Sequence, residues 1–284
     1  MRPRAWSRRG FLRAAGLAAA GVATAGLYAR EVEPRWIEFT ARPLRLPGLP
    51  AALEGARLAH LSDLHVGRSV DPDWQIAVLR RAAALAPDLV AFSGDFVTWR
   101  DERLLDALAR VLAHAPHGRL GTFAVLGNHD YGHGWTDAGI AERVARRAEQ
   151  AGFRVLRNQR TEVAGLPVVG FDDLWSGRFD PAAALAGLPA DRAALALLHN
   201  PDGCDAADWS GFGGWILSGH THGGQIRPPF LPPPWLPVRN RRYAAGEVRL
   251  GGGRTLYVSR GIGHVLRLRV NVRPEVTVFT LARA

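Results

Sequence analysis

Cysteine and lysine are what this sequence has least of. Cys204 is the single cysteine in 284 residues, and there is no lysine, so all 36 basic residues are arginine. One thiol excludes an internal disulfide framework, a zinc-finger cluster and any multi-thiolate metal site. Any metal must therefore be held by His, Asp, Glu or Asn. Without lysine, Schiff-base chemistry and lysine-dependent phosphate loops are excluded too. Mean hydropathy near zero argues against a polytopic membrane protein. The 32 glycines and 19 prolines follow no period, which rules out a fibrous repeat. What is present, 47% hydrophobic and 22% charged residues, is enough for a buried core in one large domain, or in one domain plus a leader.

The formal net charge of +10 is unevenly spread. Residues 1–30 hold six Arg and no acid, residues 31–222 are net −5, and Gly223–Ala284 are +9, with eleven Arg against only Glu247 and Glu275. The first thirty residues have the shape of an export signal: a basic start, Gly10-Phe11-Leu12, then a small-residue apolar run from Ala14 to Ala29. Ser7-Arg8-Arg9-Gly10-Phe11-Leu12 resembles the twin-arginine export signal, which implies the twin-arginine machinery as a partner and passage in the folded state. Ala23-Thr24-Ala25 offers a small-x-small cleavage site. A membrane span needs about 20 apolar residues, so this run reads as short. Residues 1–30 are expected to be a signal peptide, with retention as an N-terminal anchor the alternative.

Residues 31–55, with four prolines, read as an extended segment leading into a domain over 56–284. Within it, Leu58–Leu61, Leu89–Phe92, Thr122–Leu126, Val168–Phe171, Leu195–Leu198 and Trp215–Leu217 are strand-like runs, each ending in polar residues or glycine. Helical patterns lie near Asp73–Ala86, Glu102–Ala113 and Asp137–Ala151, which makes an α/β sheet with crossovers. Tyr243–Leu250, Thr255–Ser259 and Glu275–Leu281 add a β-rich end. The prolines of 227–237 preclude a helix there.

Directly after the strand-like runs come Ser62-Asp63-Leu64-His65, Ser93-Gly94-Asp95, Gly127-Asn128-His129-Asp130, His199 and Ser218-Gly219-His220-Thr221-His222. Strand ends are where open α/β sheets bind ligands. In Asp63-x-His65 and His220-x-His222, side chains two apart on an extended chain point to one side. Gly94, Gly127 and Gly219 bring the following residue close. Carboxylate, imidazole and amide oxygen without thiolate suit Mn, Fe or Zn. Seven such ligands are too many for one ion, and two divalent ions sharing a carboxylate use them all.

These motifs, D-x-H, G-D, G-N-H-D, H and G-H-x-H in that order, resemble the calcineurin-like metallophosphoesterase family. The resemblance implies an α/β fold in which a two-sheet β-sandwich is flanked by helices, four layers αββα, with the metal site at the C-terminal ends of strands. It implies Asp63, His65 and His222 on the first metal, Asn128, His199 and His220 on the second, and Asp95 bridging them, with Mn the favoured ion. It implies His129 beside the phosphate, protonating the leaving oxygen or stabilising the transition state, and Asp130 holding the His129 imidazole in the useful tautomer. The reaction implied is attack on phosphorus by a metal-activated water. Many members carry a second Asp three residues after the G-D motif, where this chain has Thr98. His60, His114, His117, His133 and His264 are expected to be structural or surface residues, His133 the least securely so. His133 lies close enough to Asp130 to reach the cleft.

Gly219–Gln225, Arg241–Gly246 and Ser259–Gly263 resemble the exported bacterial branch of that family, with its cell-envelope phosphodiesterases and diacylglucosamine pyrophosphatases. The reaction expected is hydrolysis of phosphodiester or pyrophosphate bonds in a phosphate-bearing small molecule, lipid or envelope polymer. Arg227, Arg260 and His133 are the candidate substrate-binding residues. Expected localisation is beyond the cytoplasmic membrane, in the periplasm or on the cell wall or membrane, with peripheral membrane contact open and no stable nucleic-acid partner. The Arg-rich tail is either a solvated strand face or an anion-binding rim. Phe230, Leu231, Trp235 and Leu236 are read as packing on the body ahead of lipid contact. The alternatives are a phosphomonoesterase or nucleotidase, or a metal-binding scaffold without turnover.

Overall fold

The computed structural model describes residues 7–189, 192–209 and 211–284, so the leader's Arg2 and Arg4 lie outside the described residues. Helix α1, Arg8–Leu27, starts where the Ser7 hydroxyl accepts from the Gly10 N–H at 3.1 Å, and it buries none of its residues. Counted from Ala14 the apolar run is short. The helix begins at Arg8, and by length and composition it suffices to cross a membrane. Its 20 residues rise about 30 Å, the thickness of a bilayer's hydrocarbon core.

Beyond α1 strands and helices alternate: β1 (Glu38–Leu46), β2 (Arg57–Leu61), α2 (Pro72–Ala84), β3 (Leu89–Ser93), α3 (Arg103–Leu112), β4 (Gly121–Val125), α4 (Ala138–Gln150) and β5 (Arg154–Val155), of which β2, β3, β4 and the three helices match the sequence pattern. Then follow β6 (Gln159–Val163), β7 (Leu166–Gly170), α5 (Pro181–Leu185), β8 (Ala193–Leu197), β9 (Gly213–Ser218), β10 (Gly246–Gly251), β11 (Arg254–Val258) and β12 (Glu275–Arg283). Two mixed six-stranded sheets result, ordered β1-β12-β2-β3-β4-β5 and β10-β11-β9-β8-β7-β6. Strands β2, β3 and β4 run parallel, as do β7, β8, β9 and β11, so each sheet has one edge where parallel strands end together.

Alternation along each strand builds three apolar layers. Leu89 and Ala91 face the second sheet and meet Leu195, Leu197, Trp215 and Phe279. Val90 and Phe92 face the other way, against α2, α3 and α4. The outer face of the second sheet is covered more thinly, by the five residues of α5 and by loop residues such as Trp209 and Phe212. This is the expected α/β two-sheet sandwich with flanking helices.

The extended segment expected over 31–55 is part of the first sheet, because Glu38–Leu46 pairs residue for residue with Glu275–Arg283. Pro43 sits comfortably there, since β1 is an edge strand. The strand expected from Tyr243 starts three residues later, at Gly246. Asn240 accepts from the Arg242 N–H and turns Arg241–Tyr243 into a short 3₁₀ helix.

Phe279 lies between the sheets with no exposed surface, edge-on to Tyr257 at 5.0 Å and to Trp215 at 5.6 Å. Phe279→Ala should cost about 3–5 kcal/mol. Urea unfolding of the detergent-solubilised chain measures it, and an unchanged midpoint would mean the sheets are not held together here.

Candidate metal centre

The strand ends β2, β3, β4, β8 and β9 meet at one place. Loop hydrogen bonds extend each sheet past its strands: the Asp63 N–H donates to Gly94 O at 2.9 Å, His65 N–H to Asp95 O at 3.0 Å and Gly219 N–H to His199 O at 3.1 Å. The Asp63 carboxylate accepts the His220 N–H at 3.1 Å and so ties the two sheets together. Space is the reason for the glycines. A Cβ on Gly219 would overlap Ser62 Oγ and Asp63 Oδ2, and one on Gly94 would stand 2.7 Å from the His199 ring.

The expected convergence of Asp63 with His65, and of His220 with His222, is present, but the backbone achieves it differently. Asp63, His65, Asp95, His220 and His222 all have φ between +49° and +72°. Left-handed turns, not extended chain, aim these side chains inward. Non-glycine residues in that region carry strain of the kind that functional sites retain.

Asp63, His65 and His222 form one cluster with ligand atoms within 4.8 Å of one another, and Asp95, His199 and His220 form a second. Asp95 stands between them, its Oδ2 3.5 Å from His65 Nε2 and 3.2 Å from His199 Nε2. His65 Nε2 and His222 Nε2 approach to 3.0 Å. All six residues are buried. Asn128 is buried beside them, and its Oδ1 has no hydrogen-bond partner. Orphaned buried oxygen, clustered imidazole nitrogens and two carboxylates are a donor set that fits divalent cations.

Surrounding groups fix which imidazole nitrogen faces the cluster. His199 Nδ1 lies 2.7 Å from Ser93 O and His220 Nε2 lies 3.0 Å from Pro237 O. Each ring therefore donates outward and keeps its other nitrogen facing the cluster, the arrangement metal-ligating histidines use. His65 Nδ1 lies 2.9 Å from Thr98 Oγ1, so Thr98 supports this ring directly.

The protein alone is short of positive charge here. Burial drives His65 and His222 well below the usual imidazole range and His220 down to about 3. Burial also opposes a charged His199, but Asp95, Asp63 and Asp173 prevail and lift it to about 10. Burial would raise Asp95, yet His199, His129 and His65 hold it well below the carboxylate range.

His129 is half-buried, its ring 5.0 Å from that of His65 and 5.9 Å from that of Trp135. Asp130 does not touch that ring. Its carboxylate accepts from the N–H groups of Asp95 at 3.0 Å, Gly127 at 2.9 Å and Val97 at 3.1 Å. The expected tautomer role is thus replaced by one in which Asp130 clamps the Asp95 loop to the Asn128 loop.

Two clefts meet at His129 and Trp135. One, of about 1080 Å³, is walled by Arg68, Arg100 and Arg103, whose guanidinium groups have no carboxylate partner among the described residues, by His133, and by a single acid, Asp101, which accepts the Arg103 backbone N–H. The other, of about 450 Å³, reaches Asp95, Asn128, His220 and His222 and is otherwise walled by Trp175, Trp235, Pro234, Val265 and Leu266. Trp135 stacks on Trp175 at 4.8 Å, and Trp175 stands edge-on to His220 at 4.5 Å, so the pair roofs the cluster.

Of the three expected substrate residues only His133 borders a cleft. The Arg260 guanidinium is bound by Glu275 at 2.7 Å and Glu38 at 2.7 Å, and Arg227 is exposed and lines neither cleft. Much of the tail's positive charge is answered by acids from residues 31–54, since Glu31, Glu38 and Glu54 pair with Arg267, Arg273 and Arg283. Sequence reasoning missed Arg269, fully buried and donating to the carbonyls of Val272, Arg260 and Gly263. It holds the turn in which Gly263 N–H reaches Asp63 O at 2.6 Å. Asp173, buried after β7 with Oδ2 unpartnered, was missed as well.

A family model for calcineurin-like phosphoesterases matches residues 56–224. The chain belongs to that family. This calcineurin-like phosphoesterase is 35% identical to the phosphodiesterase YaeI of Escherichia coli, over 97% of its own length and 99% of that protein. It is 34% identical to the uncharacterized metallophosphoesterase YkuE of Bacillus subtilis, over 89% and 88% of the two chains. It is 29% identical to the UDP-2,3-diacylglucosamine pyrophosphatase LpxG of Chlamydia trachomatis, over 88% and 91%. The family depends on a binuclear metal centre, and the chain is a metal-dependent phosphoester hydrolase.

Asp130→Asn separates the two roles for that residue. An amide NH₂ would face backbone N–H donors, so the clamp predicts a loss of about 1–3 kcal/mol of stability. A tautomer role would leave unfolding unchanged and lower only the rate.

Proposed function

We propose that this phosphoesterase hydrolyses diester or pyrophosphate bonds in an envelope or lipid-type substrate. The observation that carries this reading is the junction of two unlike clefts at His129. A diester or pyrophosphate has a substituent on each side of the reacting phosphorus, and here one side is cationic and the other apolar. A monoester has one substituent and would leave one cleft unused. The similarity to YaeI and LpxG, named for a phosphodiesterase and a pyrophosphatase, points the same way.

Asp63, His65 and His222 would hold one divalent ion, Asn128, His199 and His220 the other, and Asp95 would be shared, with Mn the favoured metal. Bound there, the ions would polarise the phosphate and activate water. The chain's own groups do the rest. His129, at the junction, is placed to give a proton to the leaving oxygen. Arg68, Arg100 and Arg103 would pair with anionic oxygens of the polar substituent. Trp135 and Trp175 keep bulk water from the cluster. Residues 1–30 would direct export through the twin-arginine machinery, as signal peptide or anchor, and the remainder would act in the periplasm or on the membrane or wall.

Comparing bis-p-nitrophenyl phosphate with p-nitrophenyl phosphate in Mn tests this reading. The diester should be preferred, and a monoester preference would favour a phosphomonoesterase. His129→Ala should lower the diester rate about 10²–10⁴-fold with metal content unchanged. Full activity in that variant would remove His129 from the chemistry.

A further inference from the structure

The apolar cleft opens beside the root of α1. Glu31 and Ala29, just past that helix, are bound to the loop that walls the cleft: Arg269 N–H donates to Ala29 O at 2.9 Å, and Arg267 pairs with Glu31. Glu33, fixed next along the chain, accepts the Val272 N–H at 2.6 Å. Gln225 then fastens this loop to the root of the proline segment, donating to Leu266 O at 2.7 Å and Leu268 O at 2.8 Å. Helix root, cleft wall and proline loop are thus laced together on one face.

That face is apolar and uncovered. Phe230 is fully exposed, Trp235 is 69% exposed and Leu266 61%, with Leu231 and Val265 also outside. Of Phe230, Leu231, Trp235 and Leu236, only Leu236 packs inward as expected. Trp235, Val265 and Leu266 border the cleft, Phe230 and Leu231 lie a few residues before Trp235 in the proline loop, and exposed apolar side chains of this kind mark a contact site. The helix beside them says what the contact is, since its 20 residues bury nothing in the protein and match a bilayer in length.

We propose that this face docks on the lipid bilayer, with α1 retained as the tether, and that the metal centre takes an amphiphilic phosphoester directly from the membrane. Phe230, Leu231 and Trp235 enter the acyl region, and the substrate's hydrocarbon part passes along Trp235, Val265 and Leu266 to the metal centre. Its polar part occupies the cleft of Arg68, Arg100 and Arg103. Arg30 and Arg227, both exposed, would be available to anionic headgroups. The proposal rests on the phosphodiesterase reading for its chemistry and on this surface for its substrate class.

The test uses the full chain reconstituted in phosphatidylcholine–phosphatidylglycerol vesicles, with an environment-sensitive fluorophore on Phe230→Cys. Cys204 is buried, with its thiol pushed up by burial, and will not compete for label. The control is Gln150→Cys, at the far end of α4 where the chain returns to the start of β5. Acyl-brominated lipid should quench the label at 230 and leave that at 150 unaffected. Equal quenching at both positions, or a label at 230 shielded from water yet unquenched, overturns the proposal and indicates another occupant such as a second copy. A Phe230→Ser, Leu231→Ser double variant should hydrolyse a vesicle-embedded alkyl p-nitrophenyl phosphodiester at least about tenfold more slowly than wild type. Its rate on soluble bis-p-nitrophenyl phosphate should be unchanged, because neither residue lines a cleft. Parallel losses on both substrates would also overturn docking. Failure of wild type on the soluble diester would instead sink the phosphodiesterase reading while the quenching result stands.

Discussion

Two carboxylates and four imidazoles held together away from water are the constraint on which the rest of this structure depends. Asp63 and Asp95 are buried, and an isolated buried carboxylate is costly unless a positive charge answers it. The neighbouring imidazoles cannot answer it well, because burial strips His65, His220 and His222 of their protons and leaves His199 as the charged partner. Divalent cations resolve the imbalance, and they would take the place of the His199 proton at the inward-facing nitrogens that the contacts to Ser93 O and Pro237 O leave on His199 and His220.

Holding such a cluster requires a frame that does not yield. The two sheets provide it by ending parallel strands at one edge, where left-handed turns at five cluster residues aim side chains inward. Asp130 closes the frame from the first sheet, by taking N–H groups from two loops. Arg269 closes it behind Asp63 by gripping backbone carbonyls. Neither needs to touch a substrate to matter, since both act on the position of Asp63, Asp95 or Asn128.

The strand-end motifs were legible because five of them occur together, in order, each directly after an apolar run, although any one of their residues alone would suit a structural role. The helices α2, α3 and α4 were legible within a residue or two for the same periodic reason. The edge strands β1 and β6 were not: β1 carries arginine and proline, and β6 is polar along most of its length, so neither shows an alternating core face. The fate of individual arginines was also beyond sequence pattern. Arg260 and Arg68 look alike in the chain, yet Glu275 and Glu38 claim the first while the second faces a cleft. Arg68 and Arg100 do follow β2 and β3, so the strand-end rule that found the cluster also reaches them. Asp130 illustrates the opposite error, a role assigned by its place next to His129 when backbone N–H groups had the stronger claim on its oxygens.

A cationic cleft, a buried metal-binding cluster and an apolar mouth beside a membrane-length helix are the features from which we propose a phosphoester substrate with one polar and one hydrocarbon end. Every part of that description returns to the cluster and the charge it needs. Elemental analysis of the full chain, purified after equilibration with Mn and freed of unbound ion, tests this most directly. Active enzyme should carry two divalent ions per chain. Full activity with one ion or none would contradict it.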